Sequence, residues 1–177
     1  MAPTAKPAVS RYHPVITLLH WVLTILIIGS LTLGFFRIAP MANSDPQKIA
    51  LLRIHMIVGV VILGLMIVRL LVRLFTSKPP AASQALDKFA TLAHYAFYLL
   101  VVLMGTTGIA TALFAGLGMV VFGDGSAALP PSFLIYPPRI AHGLIAIALT
   151  ALIALHTIAA LYHQFILRDG VFRRIWF

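Results

Sequence analysis

The stretch IAHGLIAIALTALIALHTIAALYH, residues 140–163, is apolar almost throughout, yet it carries His142, His156 and His163. Imidazole ligates metals through a neutral ring nitrogen and exchanges protons near neutral pH, so two chemistries are open to such a run: cofactor ligation and proton movement. An ionisable side chain in a membrane-length apolar segment is expensive and is by default a functional feature, although any one histidine can equally be a packed, hydrogen-bonded core residue. Spacing changes the balance. His142 and His156 are 14 residues apart, about four helical turns and roughly 21 Å of rise, so one helix presents both on nearly the same face at two depths. Each would need a partner from another element, and other apolar stretches offer His20 and His55. With no cysteine in the chain, disulfides, iron–sulfur ligation and covalent CxxCH haem attachment are excluded together.

The elements that must position these residues follow from composition. Hydrophobic residues are 61% of the total and charged residues 10%, with a mean hydropathy of +1.02. That is a membrane protein. Four apolar runs, near 15–36, 49–72, 91–122 and 139–167, are long enough to cross a hydrocarbon core about 30 Å thick. The tail of the third, VVFGDGSAALPPSFLIYPP, is rich in glycine and proline and reads as a loop, so that span is expected to end near Leu117. Ser44-Asp45-Pro46 predicts an N-cap with proline in the first turn of the second helix, Pro137-Pro138 does the same for the fourth, and Ser77-Lys78-Pro79-Pro80 stops the second. The expected architecture is all-α: an integral membrane antiparallel four-helix bundle, helices near 14–37, 46–76, 88–117 and 138–168, in a single membrane domain over residues 1–177. The N-terminal MAPTAKPAVSRYHP has no small-residue cleavage site after a short apolar core and reads as a short tail.

Basic residues orient the bundle. Lys6, Arg11, Arg69, Arg73, Lys78, Lys88, Arg168, Arg173 and Arg174 fall on one side, and only Arg37, Lys48, Arg53 and Arg139 on the other. Nine against four predicts that both termini are cytoplasmic. The net charge of +9 is then positive-inside anchoring plus contact with anionic lipid head groups, and nucleic-acid binding is set aside.

Topology pairs the histidines. His20 lies near the start of the first helix and His156 in the cytoplasmic half of the fourth, at matching depth; His55 near the start of the second and His142 in the outer part of the fourth match likewise. Structural zinc wants four ligands at one point, and nothing supplies a third at either depth. Haem fits, because two axial imidazoles saturate its iron and its porphyrin suits apolar surroundings. Gly59 and Gly143, beside His55 and His142, would let a macrocycle approach the backbone, though small residues also serve ordinary helix packing in membranes. Saturated axial positions imply electron transfer, and two haems at two depths make a wire.

These residues resemble the bacterial cytochrome b561 family, close to its superoxide oxidase (superoxide:ubiquinone oxidoreductase) branch. The resemblance runs from about residue 11 to 174, through ITLLHWVL (16–23), RIHMIVGVVILGLMIVRLLVRLF (53–75), LAHYAFYLL (92–100) and RIAHGLIAIALTALIALHTIAALYH (139–163). It implies a four-helix bundle in a bacterial inner membrane with two b haems on His20, His55, His142 and His156, in agreement with the topological pairing. It also implies a ubiquinone site beside the cytoplasmic haem, with the residue matching His163 involved. His163 lies seven residues beyond His156, on nearly the same face and one step nearer the cytoplasm; the alternative is a wet interfacial residue. Gln164 follows where related proteins carry a second histidine. His94 is a further candidate for the quinone or proton path, or a hydrogen-bonded core residue; Trp21 is a candidate wall of the quinone pocket, or an interfacial anchor. His13 reads as a surface residue.

The outer rim, with Arg37, Lys48, Arg53 and Arg139 against Asp45 and Asp124, is positive. Such a rim, with Arg53 as a candidate haem contact, would neutralise propionates, steer superoxide to the outer haem edge, or both. The first reading is a di-haem cytochrome that moves electrons between an outer one-electron donor, superoxide, and ubiquinone. Its rival is an anchor or relay subunit serving a redox partner protein, without a substrate of its own. A third reading, a haem-free structural or lipid-binding bundle, predicts a colourless protein.

Overall fold

The computed structural model describes residues 11–77, 79, 84–123 and 128–176, and the side chains of residues 84–87 are left out. Lys6, Lys78, Pro80, Asp124 and the first ten residues of the tail lie outside the described residues. Helix α1, Pro14–Leu33, starts with proline in its first turn, and the exposed His13 is its cap: Nδ1 accepts the Val15 N–H at 3.3 Å. The helix then widens into a π-helical turn at Gly34–Ile38. Helix α2 spans Gln47–Phe75, with Pro46 at the cap position and not inside the first turn, because the Asp45 carboxylate reaches past it to accept the Gln47 N–H at 2.9 Å. It stops where Thr76 turns extended, just ahead of the proline-rich stretch.

Helix α3, Gln84–Phe114, ends three residues before the expected Leu117. Gly116 adopts a left-handed conformation (φ +63°), which closes the helix at little steric cost. The chain then forms a short helix α4, Leu117–Phe122, where the sequence predicted loop. Leu117, Val120 and Val121 fall on one helical face and are buried against Leu52 of α2, and that apolar stripe outweighs the glycines around it. Helix α5, Pro137–Tyr162, again begins with proline and ends in a π turn at His163–Leu167.

Four helices, α1, α2, α3 and α5, are long and apolar enough to cross a membrane. They form the expected all-α bundle: α1 packs on α2, α2 on α3 and α3 extensively on α5. A shared core takes Leu23 from α1, Ile62 and Met66 from α2, Val101 from α3 and Leu149 from α5. Large apolar side chains such as Ile25, Phe75, Leu113 and Leu155 point outward, as they must where the surrounding solvent is lipid and only backbone groups need internal partners. The first and last described residues lie at one end of the bundle, here the terminal end. Tyr12 N–H donates to the Arg174 carbonyl at 3.1 Å, Trp21 Nε1–H donates to the Ile175 carbonyl at 3.0 Å, and the Arg73 guanidinium sits 5.8 Å from the Tyr12 ring.

Helices α2 and α3 meet tightly at Gly105, where an added Cβ would lie 3.0 Å from Leu63 Cδ2. Gly105→Leu is therefore expected to destabilise the bundle by about 1–3 kcal/mol through overpacking. Gly64→Ala, where a Cβ meets nothing within 4 Å, should cost no stability and gain up to about 1 kcal/mol of helix propensity. Thermal unfolding in detergent checks both; equal Tm values for the two variants would show that α2 and α3 do not meet at Gly105.

Candidate cofactor sites between paired histidines

Helices α1 and α2 make few close backbone contacts with α5, and imidazoles reach across the gap at two levels. At the terminal end the His20 and His156 rings have centroids 6.4 Å apart and planes at 68°. At the opposite end His55 and His142 stand 6.1 Å apart at 77°. Imidazole nitrogen bonds a first-row metal such as zinc at about 2.0–2.1 Å, so a metal held axially between two rings, with the ring radii added, separates their centres by roughly 6 Å. Both pairs have that separation. Among the described residues no three His, Cys, Asp or Glu side chains gather around one point, so each level offers two nitrogens and leaves the rest of a coordination sphere to a macrocycle.

The opposite-end pair opens into a cavity of about 520 Å³, within the range of cofactor pockets, roughly 300–1,000 Å³. Ser30, Gly59, Leu63, Gly105 and Leu149 are among its walls. Each ring is turned by its second nitrogen. His142 Nδ1 lies 3.1 Å from the Met104 carbonyl and 3.3 Å from Thr107 Oγ1; His55 Nδ1 lies 3.2 Å from Ser30 Oγ. A carbonyl only accepts, so His142 carries its proton on Nδ1 and keeps Nε2 as the ligand nitrogen, the usual outer-shell arrangement around a metal-binding imidazole. Two glycines let the rings lie flat against the helices: a Cβ on Gly108 would sit 3.2 Å from His142 Cε1, and one on Gly34 3.6 Å from His55 Cε1. At Gly59 a Cβ would project into open space, as close approach of a macrocycle requires. Gly143 instead accommodates the Arg139 guanidinium, 3.1 Å from where its Cβ would be.

Lys48 and Arg139 are the cations lining this cavity. Lys48 is only 4% exposed; it donates to the Met41 carbonyl and lies 5.6 Å from the centre of the Phe133 ring. Arg53 is not in the lining. Its Nε donates to the Val121 carbonyl at 2.8 Å, tying α2 to α4.

At the terminal end, His156 meets Phe97 edge to face at 5.3 Å and His20 meets Trp21 at 5.2 Å. Arg69 and His94 both lie within electrostatic reach of His20, and Arg69 also of His156. Arg69 Nη1 donates to the Tyr98 hydroxyl at 2.8 Å, while its Nε is buried without a partner among the described residues. An orphaned buried guanidinium nitrogen beside two imidazoles suits an anionic group such as a haem carboxylate. Trp21 also touches Trp176 (5.3 Å) and Phe172 (6.5 Å), so it joins the histidine pair to the C-terminal segment. His163 stands apart: its Nδ1 lies 2.6 Å from Asp169 Oδ2. Partial burial pushes the Asp169 carboxyl up, but hydrogen bonds from the His163 ring and the Val171 N–H outweigh it and hold the group below its ordinary value.

Ser30, Thr107, the Met104 carbonyl, Gly34, Gly108, Arg69 and Asp169 were not singled out from the sequence. Polar residues inside an apolar span were the available signal for Ser30, Thr107 and Arg69; a carbonyl partner leaves none. Residues 11–177 match the sequence model of the prokaryotic cytochrome b561 family. The probable superoxide oxidase CybB of Yersinia pestis is 29% identical over 170 residues, covering 89% of this chain and 90% of that protein. The chain therefore belongs to the prokaryotic cytochrome b561 family, and is a multi-pass bacterial inner-membrane b-type cytochrome with a role in electron transfer.

Proposed function

We propose that this chain is a di-haem cytochrome that oxidises superoxide at the outer face and reduces ubiquinone near the cytoplasmic face. The two imidazole pairs, each joining one histidine of α5 to one of α1 or α2 at its own depth with centres 6.1–6.4 Å apart, carry this reading. Haem bound in each gap supplies a one-electron carrier at its depth. His55 and His142 are the ligands at the opposite end, read as outer, and His20 and His156 those at the terminal end, read as cytoplasmic from the excess of Lys and Arg there. That excess also suits anionic lipid head groups. Superoxide as donor is supported by the name of the Yersinia relative and by the cations of the outer cavity. Lys48 and Arg139 neutralise carboxylates at the haem edge and attract a small anion to it, while Arg53 acts indirectly by holding α4 against α2. In balance, two superoxide ions become two dioxygen molecules, and one ubiquinone with two protons becomes ubiquinol. His163, Trp21 and His94 are the quinone-side residues: a ring that relays a proton to the carbonyl oxygen, an aromatic wall, and a group beside the cytoplasmic pair.

Haem extraction should return two b haems per chain. His55→Ala or His142→Ala should remove the outer haem alone, and His20→Ala or His156→Ala the inner. Spectra in which His20 and His142 are lost as one pair would overturn the assignment.

Stopped-flow mixing with superoxide should reduce the purified protein directly, and Arg139→Gln should slow that step several-fold at low salt, with the difference shrinking as salt rises. No reduction by superoxide, with rapid reduction by a partner protein, would make this chain a relay subunit instead.

His163→Ala should keep both haems and slow ubiquinone reduction by the pre-reduced protein by about 10²-fold, the lower range for loss of a general acid. An unchanged rate would place the quinone elsewhere.

A further inference from the structure

The His163–Asp169 contact is built from three local devices. The last turn of α5 widens to a π turn at His163–Leu167, a distortion found frequently at functional sites. Arg168 then takes a left-handed conformation at φ +53°, which an L side chain adopts rarely. This reversal brings the Asp169 carboxylate back to the ring of His163, 2.6 Å from Nδ1, while its other oxygen accepts the Val171 N–H at 3.1 Å. Both carboxylate oxygens are thereby engaged. The two side chains are 17% and 24% exposed, so the pair sits at the edge of the bundle with partial access to water.

A carboxylate accepts and does not donate, so the proton between the two groups is on His163 Nδ1. The neutral ring then has a bare Nε2. We propose that Asp169 is a positioning residue that fixes His163 in the Nδ1–H tautomer and so commits Nε2 to proton exchange with ubiquinone. The inference rests on the quinone reading above and deepens it. In the step it describes, Nε2 takes a proton from water, the carboxylate stabilises the imidazolium, and Nε2 passes that proton to a quinone oxygen. The ring returns to its Nδ1–H form. Ubiquinone receives its two electrons from the reduced protein and its second proton from water, which completes ubiquinol. Orientation by a carboxylate on the far ring nitrogen is the same physical device that sets the tautomer of imidazole bases in hydrolases.

The test uses the full-length holoprotein in detergent, labelled with 15N-histidine, with the His163 resonances assigned by their loss in His163→Gln. The parent should show neutral His163 as the Nδ1–H tautomer. In Asp169→Ala the ring should shift largely to the Nε2–H form, and Asp169→Glu should restore Nδ1–H. With decyl-ubiquinone as substrate and a chemical one-electron reductant, Asp169→Ala should lose about 10- to 100-fold in kcat, the range for removing the orienting partner of a functional imidazole. KM and the haem spectra should be unchanged, and Asp169→Glu should recover part of the rate. An unchanged tautomer in Asp169→Ala overturns the proposal. A changed tautomer with normal kcat also overturns it, and makes the pair a helix-terminating contact only. If His163→Ala itself reduces ubiquinone at the parent rate, the quinone reading falls, whatever the tautomer measurement shows.

Discussion

An imidazole in hydrocarbon needs a partner at each ring nitrogen, and that requirement organises this bundle. One nitrogen of His142 is satisfied inside the protein, by the Met104 carbonyl and Thr107 across the α3–α5 packing. His55 is turned in the same way by Ser30 across the α1–α2 packing. The helix pairs that pack most closely are therefore the ones that hold these rings. The rings of each pair stand 6.1–6.4 Å apart, centre to centre, where α1 and α2 make few contacts with α5. A gap of that kind in a lipid-facing bundle would leave its lining without dispersion partners, so it suits an apolar cofactor between the rings. Gly108 belongs to the same constraint, because a Cβ there would press on the His142 ring, while Gly34 leaves His55 in ordinary contact.

Cations inside the spans are the second consequence. Arg139 lies beside the opposite-end pair and Arg69 beside the terminal pair. A buried cation beside a redox group favours the state that carries one more electron, because the attraction is weakly screened where water is excluded. Each also needs an anion or a good acceptor to offset its desolvation. Lys48 obtains part of that from the Met41 carbonyl and the face of Phe133. Among the described residues Arg69 has the Tyr98 hydroxyl and ring, and its Nε has no partner.

How much of this was legible in the sequence depends on the range of the interaction. Hydropathy and proline placement located all four spans, because crossing a membrane fixes length and polarity directly. The juxtaposition of His20 with His156 and of His55 with His142 followed from antiparallel topology and depth, quantities that count residues alone. Helix α4 did not follow: GLGMVVF carries two glycines among its seven residues, and only contact with Leu52 shows its apolar face to be decisive. Gly143 was chosen for its place beside a ligand and Arg53 as one of the outer-rim cations, yet a guanidinium lies over Gly143 and Arg53 Nε donates to the Val121 carbonyl of α4. Asp169 was hidden because six residues separate it from His163, a spacing that no regular helix brings into contact; the π turn and the left-handed Arg168 do so.

The two ends differ in what they can exchange, and the difference follows from their polar groups. At the opposite end the lining combines Lys48 and Arg139 with a cavity of about 520 Å³ and no carboxylate among its described walls, an environment that favours anions. At the terminal end the C-terminal segment folds back, placing Phe172 and Trp176 around Trp21 and setting a histidine–carboxylate pair at the helix exit. Aromatic faces suit a planar ring that arrives through the bilayer, and an imidazole held by a carboxylate suits a reaction that consumes protons. On the proposed function, an anion that yields one electron without a proton is oxidised at the first of these ends, and a ring that takes two electrons with two protons is reduced at the second. The bundle between them has to provide only fixed spacing, which four helices packed around Leu23, Ile62, Val101 and Leu149 supply.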